Sequence, residues 1–138
     1  MNEKASFEPD AELDRLAAAV IGAAIEVHRV LGPGFLESIY GEAMLVELGL
    51  RGLSAQQQVP ISIRYKGVEI GQNRLDLRVE GRLIVEIKAV DALSAVHQAQ
   101  VISYLKATGH TLALLINFNV PILKNGIKRV ILSPTWRV

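Results

Sequence analysis

The chain has 138 residues, enough for one compact domain and short for two; half are hydrophobic and 21% charged, which supports a packed core and argues against disorder. It contains no cysteine, which excludes a disulfide framework, a thiolate metal site and a cysteine nucleophile. The net charge is +1, yet residues 1–91 carry all 14 acids and 10 basic residues, a net of −4, while residues 92–138 carry five basic residues and no acid, so only the C-terminal third has the sign to face a polyanion.

The N-terminal stretch MNEKASFEPDAELD is acidic and polar, unlike a signal peptide. Residues 1–10 read as a flexible tail and 11–138 as a single domain. No run of about 18 uncharged apolar residues occurs, so no transmembrane helix is expected and the setting reads as cytoplasmic. From Ala11 to Leu31 apolar residues recur at helical spacing: Leu13, Leu16, Ala17, Val20, Ile21, Ala24, Ile25 and Val27. Pro33 in "GPG" stops that helix. A second helix is predicted from about Phe35 to Leu48, closed by Gly49.

Strands follow. "QVPISIRYKGVEIG" alternates around a turn at Lys66-Gly67, and "RLDLRV" and "LIVEIKAV" are separated by Glu80-Gly81-Arg82. Ser94 is a candidate N-cap for a helix over 95–107, ended by Gly109. "TLALLINF" is a continuous apolar run typical of a strand covered on both faces, and "KRVILS" is a candidate last strand. The order α-α-β-β-β-β-α-β, with that optional final β, predicts an α/β fold: a mixed β-sheet with flanking helices, in which strand 83–90 and strand 111–118 are parallel across a right-handed crossover.

Residues 76–90, DLRVEGRLIVEIKAV, concentrate the charge. Alternate residues of a strand share a face. Leu83, Val85, Ile87 and Ala89 therefore lie on one side, and Ile84, Glu86, Lys88 and Val90 on the other. If Gly81 is the middle of a three-residue loop, Val79 faces Leu83 and Asp76 faces Glu86, with Cβ atoms about 4.5–5.5 Å apart. Two carboxylates at that separation repel unless something neutralises them. A divalent cation does so directly, because two facing carboxylates can supply adjacent oxygens to an octahedral Mg2+. A buried ion-pair set, with Lys88 bridging both acids or Arg74 and Arg78 sharing Asp76, is the other solution. It is weak as pure scaffolding, since such pairs rarely stabilise more than apolar residues would.

Asp76 followed by Glu86-Ile87-Lys88 resembles the D…ExK core of the PD-(D/E)XK nuclease superfamily. Gly34-Phe35-Leu36-Glu37-Ser38-Ile39-Tyr40 reproduces the signature of its small GxxExxY branch. "IGAAIEVHRVLGPGFLESIY", "VEIKAV", "HQAQVISYLKATG" and "LLINF" are similar to other blocks of that branch, so the resemblance spans about residues 13–132. One departure is Leu75, where the family usually has a small residue before its Asp. The resemblance implies a restriction-endonuclease-like αβββαβ core and a Mg2+-dependent (or Mn2+-dependent) nuclease that hydrolyses phosphodiester bonds, of DNA rather than RNA. Asp76 and Glu86 would hold the metal, with the carbonyl of Ile87 as a third ligand. Lys88 would orient the attacking water or stabilise developing charge.

Glu37, in the first turn of helix two, is a favourable partner for the helix dipole; the resemblance adds a role through water or a second metal. His97, Gln100 and Tyr104 share one helical stripe, and Gln100-x-x-x-Tyr104 resembles the QxxxY motif of RecB-like members, in which the pair contacts nucleic acid or supports the lysine. Tyr40 reads as core packing, Glu26 as a surface residue, and His28 and His110 as structural or exposed. No P-loop, nucleophile elbow or GxGxxG appears. The expected partner is nucleic acid, with a homodimer to grip a duplex. The alternatives are a catalytically silent nucleic-acid-binding or regulatory module on a nuclease-like fold, and a structural domain whose charges merely pair.

Overall fold

The computed structural model describes residues 9–132. Helices α1 (Ala11–Leu31) and α2 (Glu37–Leu50) are followed by strands β1 (Ala55–Tyr65), β2 (Val68–Val79) and β3 (Leu83–Lys88). Then come α3 (Ala95–Thr108), β4 (Leu112–Asn117), a short 3-10 turn at Leu123–Gly126 and β5 (Ile127–Ile131). The strands form one sheet in the order β1-β2-β3-β4-β5. β3 and β4 are parallel across the α3 crossover and every other neighbouring pair is antiparallel. This is the expected mixed sheet flanked by helices, consistent with a restriction-endonuclease-like fold.

Several boundaries differ from the sequence reading. "VEIG" and "RLDLRV" belong to one strand, β2, so three strands and not four precede α3. Gly71 lies inside that strand opposite Ile63 and without a positive φ, so it makes no turn. Helix α2 begins at Glu37 because Leu36 is extended (φ −72°, ψ 155°), and it runs through Gly49 to Leu50. β3 ends at Lys88, two residues early. Ile25, one of the apolar residues at helical spacing in α1, is 47% exposed, whereas His28 is buried with Nε2 2.7 Å from the Val120 carbonyl oxygen. Of the tail expected over 1–10, residues 1–8 lie outside the described residues. Asp10 is already the N-cap of α1, accepting the Leu13 amide at 2.7 Å.

Helices α1 and α2 cover one face of the sheet, packing Val20, Ala24, Tyr40 and Met44 against Leu77, Val85, Ile87 and Leu114. Helix α3 covers the other, packing Val101, Tyr104 and Leu105 against Leu75, Ile84 and Leu115. β3 and β4 are buried on both faces, which is why they read as apolar runs. Glu86 and Asn117 interrupt those runs while buried themselves.

One irregularity positions the site. Leu75 and Leu77 are two apart on β2 and should share a face. Both are fully buried, but Leu75 packs with the α3 cluster and Leu77 with the α1/α2 cluster. The alternation therefore flips at Asp76. Across the ladder the register passes from Gln57↔Leu77 to Val59↔Leu75, with Gln58 between them at φ 53°. A non-glycine residue in that conformation is costly and is held only where the surroundings over-determine it. The sheet is thus creased at Gln58 and Asp76.

Candidate active site

The backbone ladder between β2 and β3 pairs Val79 with Leu83 and Leu77 with Val85, the register that a three-residue loop at 80–82 dictates. The next step would join Asp76 to Glu86, and there side chains replace the ladder. The Asp76 amide donates to Glu86 Oε1 at 3.1 Å, and the Ile87 amide donates to Asp76 Oδ2 at 2.8 Å. Both carboxyl groups therefore bend into the gap between the strands. The Ile87 carbonyl opens on the same edge as its amide, because residues of an antiparallel pair exchange both bonds on one side.

Glu86 is only 3% exposed. Burial pushes its carboxyl up to about 9 from an ordinary 4.5; the neighbouring Asp76 charge and a hydrogen bond with the Asp76 carboxyl add to the rise, against the Asp76 amide and the Lys88 charge. In this state one proton between the two acids suppresses their repulsion. The ion-pair alternative does not occur among the described residues. Arg78 donates to Gln56, Lys88 to Gln100, and neither Arg74 nor Arg78 forms an ion pair with Asp76.

Lys88 follows at the end of β3, half-buried, with Nζ 3.3 Å from Gln100 Oε1. Tyr104, one turn beyond Gln100 on α3, is almost fully buried. Burial, and then the Glu86 and Asp76 charges, hold its phenol above the usual range, so the hydroxyl keeps its proton. The stripe read from the sequence thus brings Gln100 to the lysine and Tyr104 to the acids. His97, on the same stripe, is engaged at the helix start: its Nδ1 accepts the Ser94 amide at 3.0 Å in a capping box.

Glu37 begins α2 and lines a cavity of about 540 Å³ together with Phe35, Gln57, Gln58, Asp76 and Ile87. Its Oε1 accepts the Ala89 amide at 3.4 Å, tying the helix to the chain just past Lys88. Tyr40 is buried as expected and also fastens the loop that delivers Glu37. Its hydroxyl donates to the Gly32 carbonyl at 2.6 Å and accepts the Phe35 amide at 3.2 Å, while its ring stacks on Phe118 at 4.5 Å. Gly34, at φ 109°, supplies the turn that the loop needs.

Sequence reasoning missed three contributors. Asn117 is 1% exposed; it donates to the Val90 carbonyl at 2.9 Å and accepts the Val90 amide at 3.1 Å, fixing the segment after Lys88. Its signal was visible as one amide inside the apolar run "LLINF". Gln57 and Gln58 line the cavity, and nothing in "AQQQV" announced the crease.

The donor set suits a hard divalent cation. Two carboxyl groups and a carbonyl oxygen meet in one gap, and a bound ion would displace the proton that holds Glu86 neutral. Among the described residues no three His, Cys, Asp or Glu side chains cluster as ligands. An ion here would keep several waters, as Mg2+ does. The family model described as the PD-(D/E)XK nuclease superfamily matches residues 14–130, and the chain belongs to that superfamily. No curated protein and no solved structure matches it. No helix among the described residues is long and apolar enough to cross a membrane.

Proposed function

We propose that this member of the PD-(D/E)XK nuclease superfamily is a Mg2+-dependent (or Mn2+-dependent) phosphodiesterase acting on nucleic acid, DNA in preference to RNA. The observation that carries the reading is the pair of carboxyl groups turned into the β2–β3 gap, with the Lys88 ammonium on the same strand. Asp76, Glu86 and the Ile87 carbonyl would hold the ion, which supplies an acidified water and neutralises charge on the phosphate. Gln100 Oε1 steadies the Lys88 ammonium, and that charge stabilises the negative oxygens that develop as water attacks phosphorus. The water oxygen forms the new P–O bond, one ester P–O bond breaks, and the departing oxygen takes a proton to become a hydroxyl. Tyr104 keeps its proton, and its almost fully buried ring covers the α3 side of the acids. Glu37 is the candidate to position a water or second ion at the cavity wall.

The same reading assigns the chain to the GxxExxY branch. Gly34, Glu37 and Tyr40 each serve the cavity, through the positive φ, the bond to Ala89 and the clamp on Gly32 and Phe35. A homodimer in the cytoplasm belongs to this reading as well, because one small domain has little surface with which to grip a duplex; a monomeric mass in light scattering with bound duplex would remove the dimer.

The test is incubation with single- and double-stranded DNA and RNA in Mg2+, Mn2+ or EDTA. Cleavage is expected with metal only, falling by about 100-fold or more in Lys88→Ala. Salt-sensitive binding without cleavage under any condition would instead mark a silent binding module.

A further inference from the structure

On the α3 side of the sheet a second cavity, of about 670 Å³, opens between the outer part of β1 and the last turns of α3. Arg64 from β1, Arg78 from β2, Lys106 from α3 and His110 just after α3 line it, and no acidic side chain does. Its arginines bond neutral oxygens. Arg64 Nη1 donates to the Gly67 carbonyl at 3.4 Å, and Arg78 donates from Nε and Nη2 to Gln56 Oε1 at 3.2 and 2.7 Å. Elsewhere Arg29, Arg51, Arg82 and Arg129 each pair with a carboxylate. The acid across the ladder from Arg64 is Glu69, and its carboxylate is taken by the Ser62 hydroxyl. Among the described residues, Arg64 and Arg78 thus reach this groove with no carboxylate bonded to either. Burial and the Arg78 charge also hold the His110 imidazole below its usual range, a tension that an anion between them would relieve.

The groove continues the catalytic strip. Gln100, which holds Lys88, lies on the same stripe of α3 as Ser103 and Ala107, and both of these line the groove. At 1.5 Å per residue, Lys106 is about 9 Å and Thr108 about 12 Å along the helix from Gln100. Phosphates of one strand recur every 3.4 Å or so along a duplex axis, so that distance spans about three of them.

We propose that this groove binds the phosphate backbone of the nucleic acid about three nucleotides from the bond that is cut, with Arg64 and Arg78 as its principal contacts. The proposal rests on the nuclease reading and assigns these residues to binding and register, not to chemistry.

Anisotropy titrations of a labelled oligonucleotide in EDTA across about 50–200 mM salt, with parallel Mg2+ cleavage assays, test it on the full chain. Relative to wild type, the double variant Arg64→Gln/Arg78→Gln should bind about tenfold more weakly, with the slope of log K against log salt reduced by about 1–2. Its KM should rise with kcat unchanged, and Arg64→Lys/Arg78→Lys should restore most of the slope. Unchanged affinity and slope in the glutamine variant, with cleavage intact, would overturn the groove and leave the nuclease reading standing. Binding lost in that variant, with no cleavage by wild type, would support the groove and defeat the nuclease reading. Inorganic phosphate that binds wild type and not the glutamine variant, with oligonucleotide affinity and salt slope the same in both, would mark a free-anion site and overturn the backbone assignment. Failure of the wild type to bind at the lowest salt would overturn both.

Discussion

Replacing Glu86 with glutamine removes the charge that the metal-free fold accommodates worst while keeping its shape. Oε1 of the amide can still accept the Asp76 N–H, and its NH2 group gains a donor for the Asp76 carboxylate. In the wild type, burial first and the Asp76 charge second raise Glu86 from 4.5 to about 9. A folded-state value above the unfolded one means that the stabilisation is complete below about pH 4.5 and lost as pH rises towards 9, at about 1.4 kcal/mol per pH unit. The accumulated loss at pH 8 has a ceiling of about 5 kcal/mol, and at least about 2 kcal/mol is expected after relaxation of the buried pair. For 138 residues the unfolding entropy is about 0.3 kcal/mol/K, so 2 kcal/mol moves Tm by about 7 °C. In EDTA at pH 8, Glu86→Gln should therefore melt about 7 °C or more above wild type, and within about 2 °C of it at pH 5. Saturating Mg2+ should raise wild type by about 2.7 kcal/mol at 100 times its Kd and leave the variant nearly unmoved. Calorimetric melts from pH 5 to 9, with and without metal, make the comparison. A glutamine variant less stable than wild type in EDTA at pH 8, or a gap that ignores pH, would refute the strained-carboxyl account.

Three further outcomes are expected. Gln100→Ala frees the Lys88 ammonium from its 3.3 Å anchor and should lower kcat about tenfold with KM for DNA unchanged, as steady-state cleavage kinetics would show. Tyr40→Phe strands the Gly32 carbonyl and Phe35 amide; the cost of about 1–3 kcal/mol should appear as a Tm lowered by about 4–10 °C. Gly126→Ala would place a Cβ 2.2 Å from the Asn117 carbonyl oxygen, so it should destabilise by about 3 kcal/mol in denaturant unfolding, whereas Gly49→Ala, with open space around it, should not destabilise.

The chain's local patterns were sufficient for the element types, the β3-α3-β4 crossover and the Asp76–Glu86 register. Each rests on short-range physics: the 3.6 and 2.0 periodicities, glycines where the backbone turns, and a loop length that dictates the facing pairs. Gln100 and Tyr104 were legible because one helical stripe places them together. Boundaries were less so. Whether Gly71 interrupts a strand, or Phe35 opens a helix, depends on what packs or bonds beside it. For Phe35 that is the Tyr40 hydroxyl.

Tertiary contact alone decided the rest. The crease at Gln58 and Asp76 exists because β1 and β2 bury Leu77 against one layer of helices and Leu75 against the other. That flip stops the ladder and turns both carboxyl groups into the gap, as no strand periodicity could foretell. Asn117 grips Val90 across 27 positions of sequence, and Glu37 reaches Ala89 across 52. Such contacts are set by how whole elements dock. Their geometry is a property of the assembled sheet and helices, while the residues that make them are scattered along a chain whose local preferences are silent about one another.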